Sequence, residues 1–556
     1  MSVRIFALLF WLTLLQSCFH PVYAVNKPAA NWKITKTSWS SQDEKSFQEF
    51  ISQIGEAISA RKCNTVPGCL NSSVNPFRKS DPEGLSYQSD CADLPYFLRA
   101  YFAWKNELPF SFAQDMSLRN VPGNEGRDIR YSPYGNVVAL RYDVTDVAGK
   151  PIDVIRFFNQ FLTDSVSSAS FRTHYADDGS VNFTDQYPVK ISREAIQPGT
   201  MIYDPNGHVG TIYKVSNDGK IYFFDAHPDN SVTAGTFDNK FVRSNPGQGA
   251  GFRNWRPLQL VGAESDRRGY FLGGKVTGVS NQKLGNYSVE QFFGNTDPKA
   301  TEASVDWKKA PFIIDGKNLT YYEFIRQKMS LGELRINPVD EFRSILTDLC
   351  ESLKDRVHAV DIGVRAGLSQ KDHPERLPDN IYGTAGDWEE YSTPSRDAQL
   401  KVSFIDLLSS SKDFLTKWRA QDPTIVYSGS TLAQDMLSTY QQQASSCQIQ
   451  YQNSQGQSIT LSLEEVRQRL FQLSFDPYNC VERRWGAAST NELASCQENQ
   501  NKNLWYVREQ RLRNQPERQY EARTDFNLDD LLNPLPGNGL EKAPNVDIEG
   551  FLKAQM

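Results

Sequence analysis

The sequence predicts an α+β fold, with a helix starting at a cysteine and an antiparallel strand pair, followed by a mostly α-helical domain tied by disulfides. Three observations carry this reading. An apolar helical stripe begins directly after Cys91. Two alternating segments, His208–Val215 and Ile221–His227, flank the turn signal Ser216-Asn217-Asp218-Gly219. Beyond residue 300 one helical pattern follows another, with four cysteines among them.

The chain has 556 residues, so two or three domains are expected. Its formal net charge of -6 is spread through both signs, which argues against a nucleic-acid footprint. Met1–Ala24 reads as a secretory signal. Arg4 is the positive end, Ile5–Leu15 is an apolar run too short to span a bilayer, and Val22-Tyr23-Ala24 offers a cleavage site. Leu15-Gln16-Ser17-Cys18 is similar to a bacterial lipobox, which would place lipid on Cys18 and tether the chain to a membrane. Either route makes the protein periplasmic or secreted.

Export changes how the remaining seven cysteines are read. An odd number in an oxidising compartment leaves at least one thiol free. Cys63 and Cys69 bracket a Pro-Gly turn and are expected to pair. Cys350, Cys447, Cys480 and Cys496 can pair among themselves in three ways, which leaves Cys91 over. No C-x-x-C and no nearby histidine pair is present, so no metal and no cofactor is expected.

In chain order, Ser41 and Glu44 form a capping-box pattern ahead of Phe47, Phe50, Ile51, Ile54 and Ile58 at helical spacing. This helix is expected to cover the catalytic unit. Residues 63–84 are loop. In Ser89–Trp104, Asp90 suits an N-cap, and Leu94, Leu98 and Tyr101 recur on one face. A thiol at a helix start meets unpaired N–H groups and the positive dipole end, which favour the nucleophilic thiolate. A small buried apolar residue is the plainer use of such a cysteine. Residues 106–190 read as an insertion, with a strand at Asn136–Val144 and a short helix at Ile152–Leu162. Then Pro198-Gly199-Thr200, Asp204-Pro205-Asn206-Gly207 and His208-Val209-Gly210 alternate turn and strand. Antiparallel neighbours would bring His208 near Asp225 or His227. A base oriented by a third polar group is what thiol catalysis needs. His174, His358 and His373 read as surface residues.

Ser89-Asp90-Cys91-Ala92-Asp93-Leu94, Pro198-Gly199-Thr200, Gly207-His208-Val209-Gly210 and Phe224-Asp225-Ala226 together resemble the motifs of NlpC-type papain-like cell-wall peptidases. The resemblance implies a papain-like core over residues 25–262 and hydrolysis of amide bonds in peptidoglycan peptides. It makes Cys91 the nucleophile, His208 the general base and Asp225 the residue orienting it, with His227 as the alternate. The Cys91 backbone N–H would serve the oxyanion hole. Tyr87 would either add a hydroxyl there or pack as a loop aromatic. The chain departs from the pattern at Asp93, which adds an acid beside the thiol, and at Pro95, which removes a backbone donor near the helix start. Two other readings use the same core: an acyltransferase on the same Cys-His pair, and a non-catalytic envelope-binding scaffold.

Residues 263–299 are rich in Gly, Asn and Gln and read as linker plus a small strand pair. Residues 300–511 read as the helical domain, positioning substrate or docking a partner protein, and 512–556 as a poorly ordered tail. Ser462 and Glu465 form a further capping box. The stretch Asp387–Asp397 mixes acids and aromatics. It reads as a loop capped by Ser395 or as a binder of sugar or a cation. Cys480–Trp485 reads as a structural cluster or a ligand patch.

Overall fold

A computed structural model describes residues 30–145, 152–177, 182–204, 208–238, 241, 243, 245–382, 386–518 and 522–556. The expected leader, the Cys18 lipobox and the turn residues 205–207 lie outside the described residues.

Helix α1 (Ser41–Ser59) buries Phe47, Phe50, Ile51, Ile54 and Ile58, as their spacing demands. Its capping box closes one residue earlier than the sequence suggested. Ser40 Oγ accepts from the Asp43 N–H at 3.2 Å, and the Asp43 carboxylate accepts from the Ser40 N–H at 2.9 Å. Glu44 is instead taken by a forked pair from Arg99, at 2.6 and 2.8 Å. Arg99 lies on α2 (Asp93–Lys105), whose residues Asp93 to Ala103 are all buried, so α2 is a core helix rather than an amphipathic one.

The insertion opens with an antiparallel pair, β1 (Phe110–Leu118) and β2 (Asn136–Val144), the second where a strand was expected. Buried Asp185 ties three elements together. It accepts from Tyr96 Oη of α2 and from the Ala113 N–H of β1, both at 2.8 Å, and ion-pairs with Arg141 of β2 at 2.8 Å.

The main sheet comprises β3 (Gln186–Pro188), β4 (Met201–Asp204), β5 (His208–Val215), β6 (Ile221–Ala226), β7 (Val232–Thr236) and β8 (Gly251–Trp255). All neighbours are antiparallel, in the order β3-β8-β4-β5-β6-β7. Side chains alternate between its faces. Met201, Tyr203, Val209, Tyr213 and Phe224 join the core made with α1 and α2. The approach of α1 is close: a Cβ on Gly55 would lie 2.1 Å from the Tyr213 ring. The opposite face, with Ile202, Ile212 and Phe252, is covered by Phe324, Ile325 and Met329 of α3 (Tyr321–Met329).

The helix α3 therefore belongs to the sheet, and the expected linker before it is packed structure. Glu264–Ser265 pairs with Phe271–Leu272, which supplies the small strand pair, and Lys275–Gly278 pairs back to Leu258–Val261. The Gln291 side chain accepts from the Phe252 N–H at 2.8 Å and donates to its carbonyl at 3.0 Å, completing β8 where β3 ends. Phe292 and Phe293 are buried. The glycines behind the linker reading turn the chain: Gly269, Gly273 and Gly274 have φ of +83°, +65° and +82°.

Helices α4 (Pro338–Arg365), α5 (Pro394–Arg419) and α6 (Leu432–Ser446) build the C-terminal core. Cys350 of α4 is bridged to Cys447 at the end of α6, and the other bonds join Cys63 to Cys69 and Cys480 to Cys496. Three disulfides fit an oxidising compartment. Buried Arg356 of α4 grips Asp397 of α5 at 2.6 and 3.1 Å. The region is not purely helical, because a hairpin pairs Gln448–Gln452 with Ser458–Ser462. The Ser462–Glu465 capping box forms as expected. Among the described residues no helix is long and apolar enough to cross a membrane.

The tail from residue 512 is not poorly ordered. Phe526 and Leu531 pack with Leu377, Trp388 and Trp505, while Val546, Ile548 and Leu552 complete the core of α4, α5 and α6. A handful of well-spaced apolar residues outweighs a polar average composition.

Candidate active site

The backbone around Cys91 is set by Asp90. Its carboxylate accepts from the N–H groups of Ala92 and Asp93 at 2.8 and 2.9 Å, and its carbonyl accepts from the Leu94 N–H at 3.1 Å. Asp90 thus closes a turn ahead of α2 and holds Cys91 at the mouth of the sheet. Among the described residues Cys91 is the cysteine that lies outside the three disulfides, and it is half-buried.

β5 and β6 deliver the partners. Thr211 stands opposite Phe224, a register that carries His208, the first residue of β5, to the end of β6 occupied by Asp225. His208 Nε2 donates to Asp225 Oδ2 in a short hydrogen bond. The Cys91 thiol and the His208 ring also share a hydrogen bond. Nε2 is committed to Asp225, so Nδ1 is the ring nitrogen that faces the sulfur. On β7, Thr233 stands directly opposite Asp225, and its hydroxyl donates to Asp225 Oδ1. His227 Nε2 then donates to Thr233 Oγ1 at 3.2 Å. One chain of hydrogen bonds therefore runs from His227 through Thr233 and Asp225 to His208 and Cys91.

Electrostatics assigns different forms to the two histidines. Burial pulls His208 down, but the Asp225 carboxylate and its hydrogen bond outweigh that and raise the imidazole to about 10. Burial pushes Asp225 up, yet His208 and His227 bring it down to about 2. His227 falls to about 3, through burial and then through the charge of Arg396. His208 is thus an imidazolium at neutral pH, and His227 is a neutral ring. Burial raises the Cys91 thiol, against the lowering effect of His208 and of the Val209 N–H. The helix start does not depress the thiol as expected. Two of the first N–H groups are spent on Asp90, and desolvation of the sulfur dominates. Burial and the neighbouring Asp90 also raise Asp93 well above the usual carboxylate range. The extra negative charge expected beside the thiol is therefore disfavoured by burial.

Tyr87 does not reach this site. It is buried, and its hydroxyl donates to Asp81, which also accepts from Tyr101 Oη at 2.8 and 2.9 Å. His227 contacts Asp225 at 3.8 Å and leaves the bond to His208 to Asp225.

A cleft of about 210 Å³ opens over Cys91, His208 and His227, and its far wall comes from the C-terminal region. No family model, curated protein or solved structure matches this chain. Arg396, in the first turn of α5, pairs with Asp229 at 3.4 Å and donates to Ser231 Oγ at 3.3 Å. Arg518, from the presumed tail, pairs with Asp204 at 2.7 Å beside the β4–β5 turn. Thr233, Arg396 and Arg518 were not singled out by their spacing. Arg396 does fall in the mixed stretch Asp387–Asp397, where the helix starts at Pro394 with Thr393 as its cap residue and the Ser395 hydroxyl donates to the Tyr382 carbonyl.

Two histidines read as surface residues are buried. His174 bonds Glu302 at 3.1 Å, and His373 lies against Asp476 at 3.0 Å. His358 is half-buried.

Proposed function

We propose that this protein is an exported bacterial cysteine hydrolase of the papain-like type, cleaving an amide bond in peptidoglycan peptides. The observation that carries the reading is the relay of Cys91, His208 and Asp225, assembled from three separate segments and open to a cleft. A half-buried thiol hydrogen-bonded to an imidazole that is itself held by a buried carboxylate is the arrangement nucleophilic thiol chemistry requires.

In the reaction the Cys91 thiol releases its proton to solvent and stands as a thiolate beside the His208 imidazolium, whose Nδ1–H faces the sulfur. The sulfur attacks the carbonyl carbon while Asp225 stabilises the imidazolium through Nε2. The tetrahedral oxyanion takes a hydrogen bond from the Cys91 N–H. The raised His208 then protonates the departing amine, which breaks the C–N bond and leaves a thioester on Cys91. A water molecule, deprotonated by the now neutral His208, hydrolyses the thioester and restores the thiolate–imidazolium pair. Burial of the sulfur opposes the first step and the imidazolium favours it, so substrate that excludes water from the cleft strengthens the ion pair.

Digestion of purified murein by the wild type and by Cys91→Ala, read by mass spectrometry, tests the reading. New peptide termini that appear only with the wild type are expected. Identical fragment profiles would remove the assignment to this polymer.

A further inference from the structure

A second histidine–carboxylate cluster lies in the C-terminal region, outside the cleft. His373 follows α4, Asp476 sits in a loop after the hairpin, and Glu509 caps the helix Gln500–Arg508. All three side chains are fully buried. One ligand atom from each lies within 4.8 Å of the others. The His373 ring stacks on Trp505 at 4.0 Å, and its Nδ1 donates to the Pro374 carbonyl at 2.6 Å. That bond fixes the tautomer and turns the Nε2 lone pair toward the carboxylates.

The hydrogen bonding of the cluster is incomplete. His373 Nε2 and Asp476 Oδ2 are 3.0 Å apart, yet neither has a hydrogen-bond partner, and both oxygens of Glu509 also lack one. Neighbouring cations do not resolve this. Lys502 Nζ donates to the Ser369 carbonyl at 2.7 Å. Arg513 is engaged with the Tyr506 carbonyl and Gln510, at 2.6 and 2.8 Å, and stays 3.8 Å from Glu509. Two carboxylates and an imidazole lone pair, converging in a buried core, are costly without a positive centre between them. Zinc bonds to nitrogen and oxygen at about 2.0–2.2 Å, which places neighbouring ligand atoms roughly 3 Å apart, the His373–Asp476 spacing. The sulfurs of Cys480 and Cys496, close by in sequence, are joined to each other.

We propose that His373 Nε2, Asp476 Oδ2 and a Glu509 oxygen bind one divalent transition-metal ion of the zinc class, pinning three distant segments of the C-terminal core. The site departs from the sequence expectation of no metal, and it is independent of the hydrolase reading. Neutral imidazole, two carboxylates and a dication sum to zero charge, which suits burial.

The test uses the full chain carrying Cys91→Ala, so that the cleft thiol cannot bind the probe. The protein is purified without a histidine tag, stripped with a chelator and desalted, then titrated with zinc chloride. Retained metal is counted by elemental mass spectrometry, and the melting temperature is followed. One retained zinc per chain and a rise of about 5 °C are expected, both lost in Glu509→Gln. An unchanged melting temperature with substoichiometric zinc in the parent chain overturns the site, with no need of a folded variant. Equal zinc retention by Glu509→Gln and its parent also overturns it, because the metal would then sit elsewhere.

Discussion

In the N-terminal half His208 turns Nε2 to Asp225; in the C-terminal half His373 turns Nε2 to Asp476. The same pair of residue types stands in two different electrostatic settings. Around His208 each carboxylate oxygen has a donor, Nε2 on one side and the Thr233 hydroxyl on the other, and the ring opens onto a thiol and a cleft. Around His373 the oxygens face one another in a closed core with donors missing. A completed network holds a proton at a chosen nitrogen and can release it to substrate. An incomplete one calls for a further positive ligand. Accessibility and hydrogen-bond accounting, more than residue type, separate the two.

Substitutions sharpen this contrast, starting with the most severe. Cys91→Ala is expected to reduce amide hydrolysis by roughly 10⁴-fold or more while leaving substrate affinity near the wild-type value, measured as kcat against KM. A loss confined to KM would mean that the thiol merely contacts substrate. Asp225→Asn keeps the shape but removes the charge that raises His208, so kcat should fall about 10²-fold. The imidazole should also titrate below its present value of about 10, as followed by NMR of the ring.

In the other half the consequence is stability. Arg356→Met leaves Asp397 buried without its partner, and an expected loss of about 3–5 kcal/mol would be read by denaturant melts. Replacing both residues with apolar ones should recover most of that loss. The smallest effect is expected at Thr233→Val. It removes one donor from Asp225 and the acceptor of His227, and should lower kcat only several-fold. An effect as large as that of Asp225→Asn would show that Thr233 acts as more than a positioning residue.

Much of the N-terminal arrangement was legible because its signals are local. Cysteine parity singled out Cys91, and the alternation of 208–215 and 221–227 put His208 and Asp225 at one sheet end. What failed there depended on partners that spacing does not reveal. Tyr87 is held by Asp81, the α1 cap shifted to Ser40 because Asp43 competes with Glu44, and the thiol is governed by desolvation rather than by the helix start. In the C-terminal half helices were legible from periodicity, but their polar contacts were not. His373 meets Asp476 and Glu509, and Arg518 returns to Asp204, across separations no local pattern encodes. The packing of Phe526 and Ile548 was hidden by the polar residues around them.

The most direct measurement is the pH dependence of alkylation in the oxidised protein, with the labelled residue mapped by mass spectrometry. Only the thiolate reacts, so the rate must rise with pH. A single label on Cys91 is expected, with a midpoint above the ordinary thiol range because burial opposes the charge. In His208→Ala the midpoint should move higher still, since the lowering partner is gone. A label elsewhere, or an identical profile with and without His208, would contradict the relay.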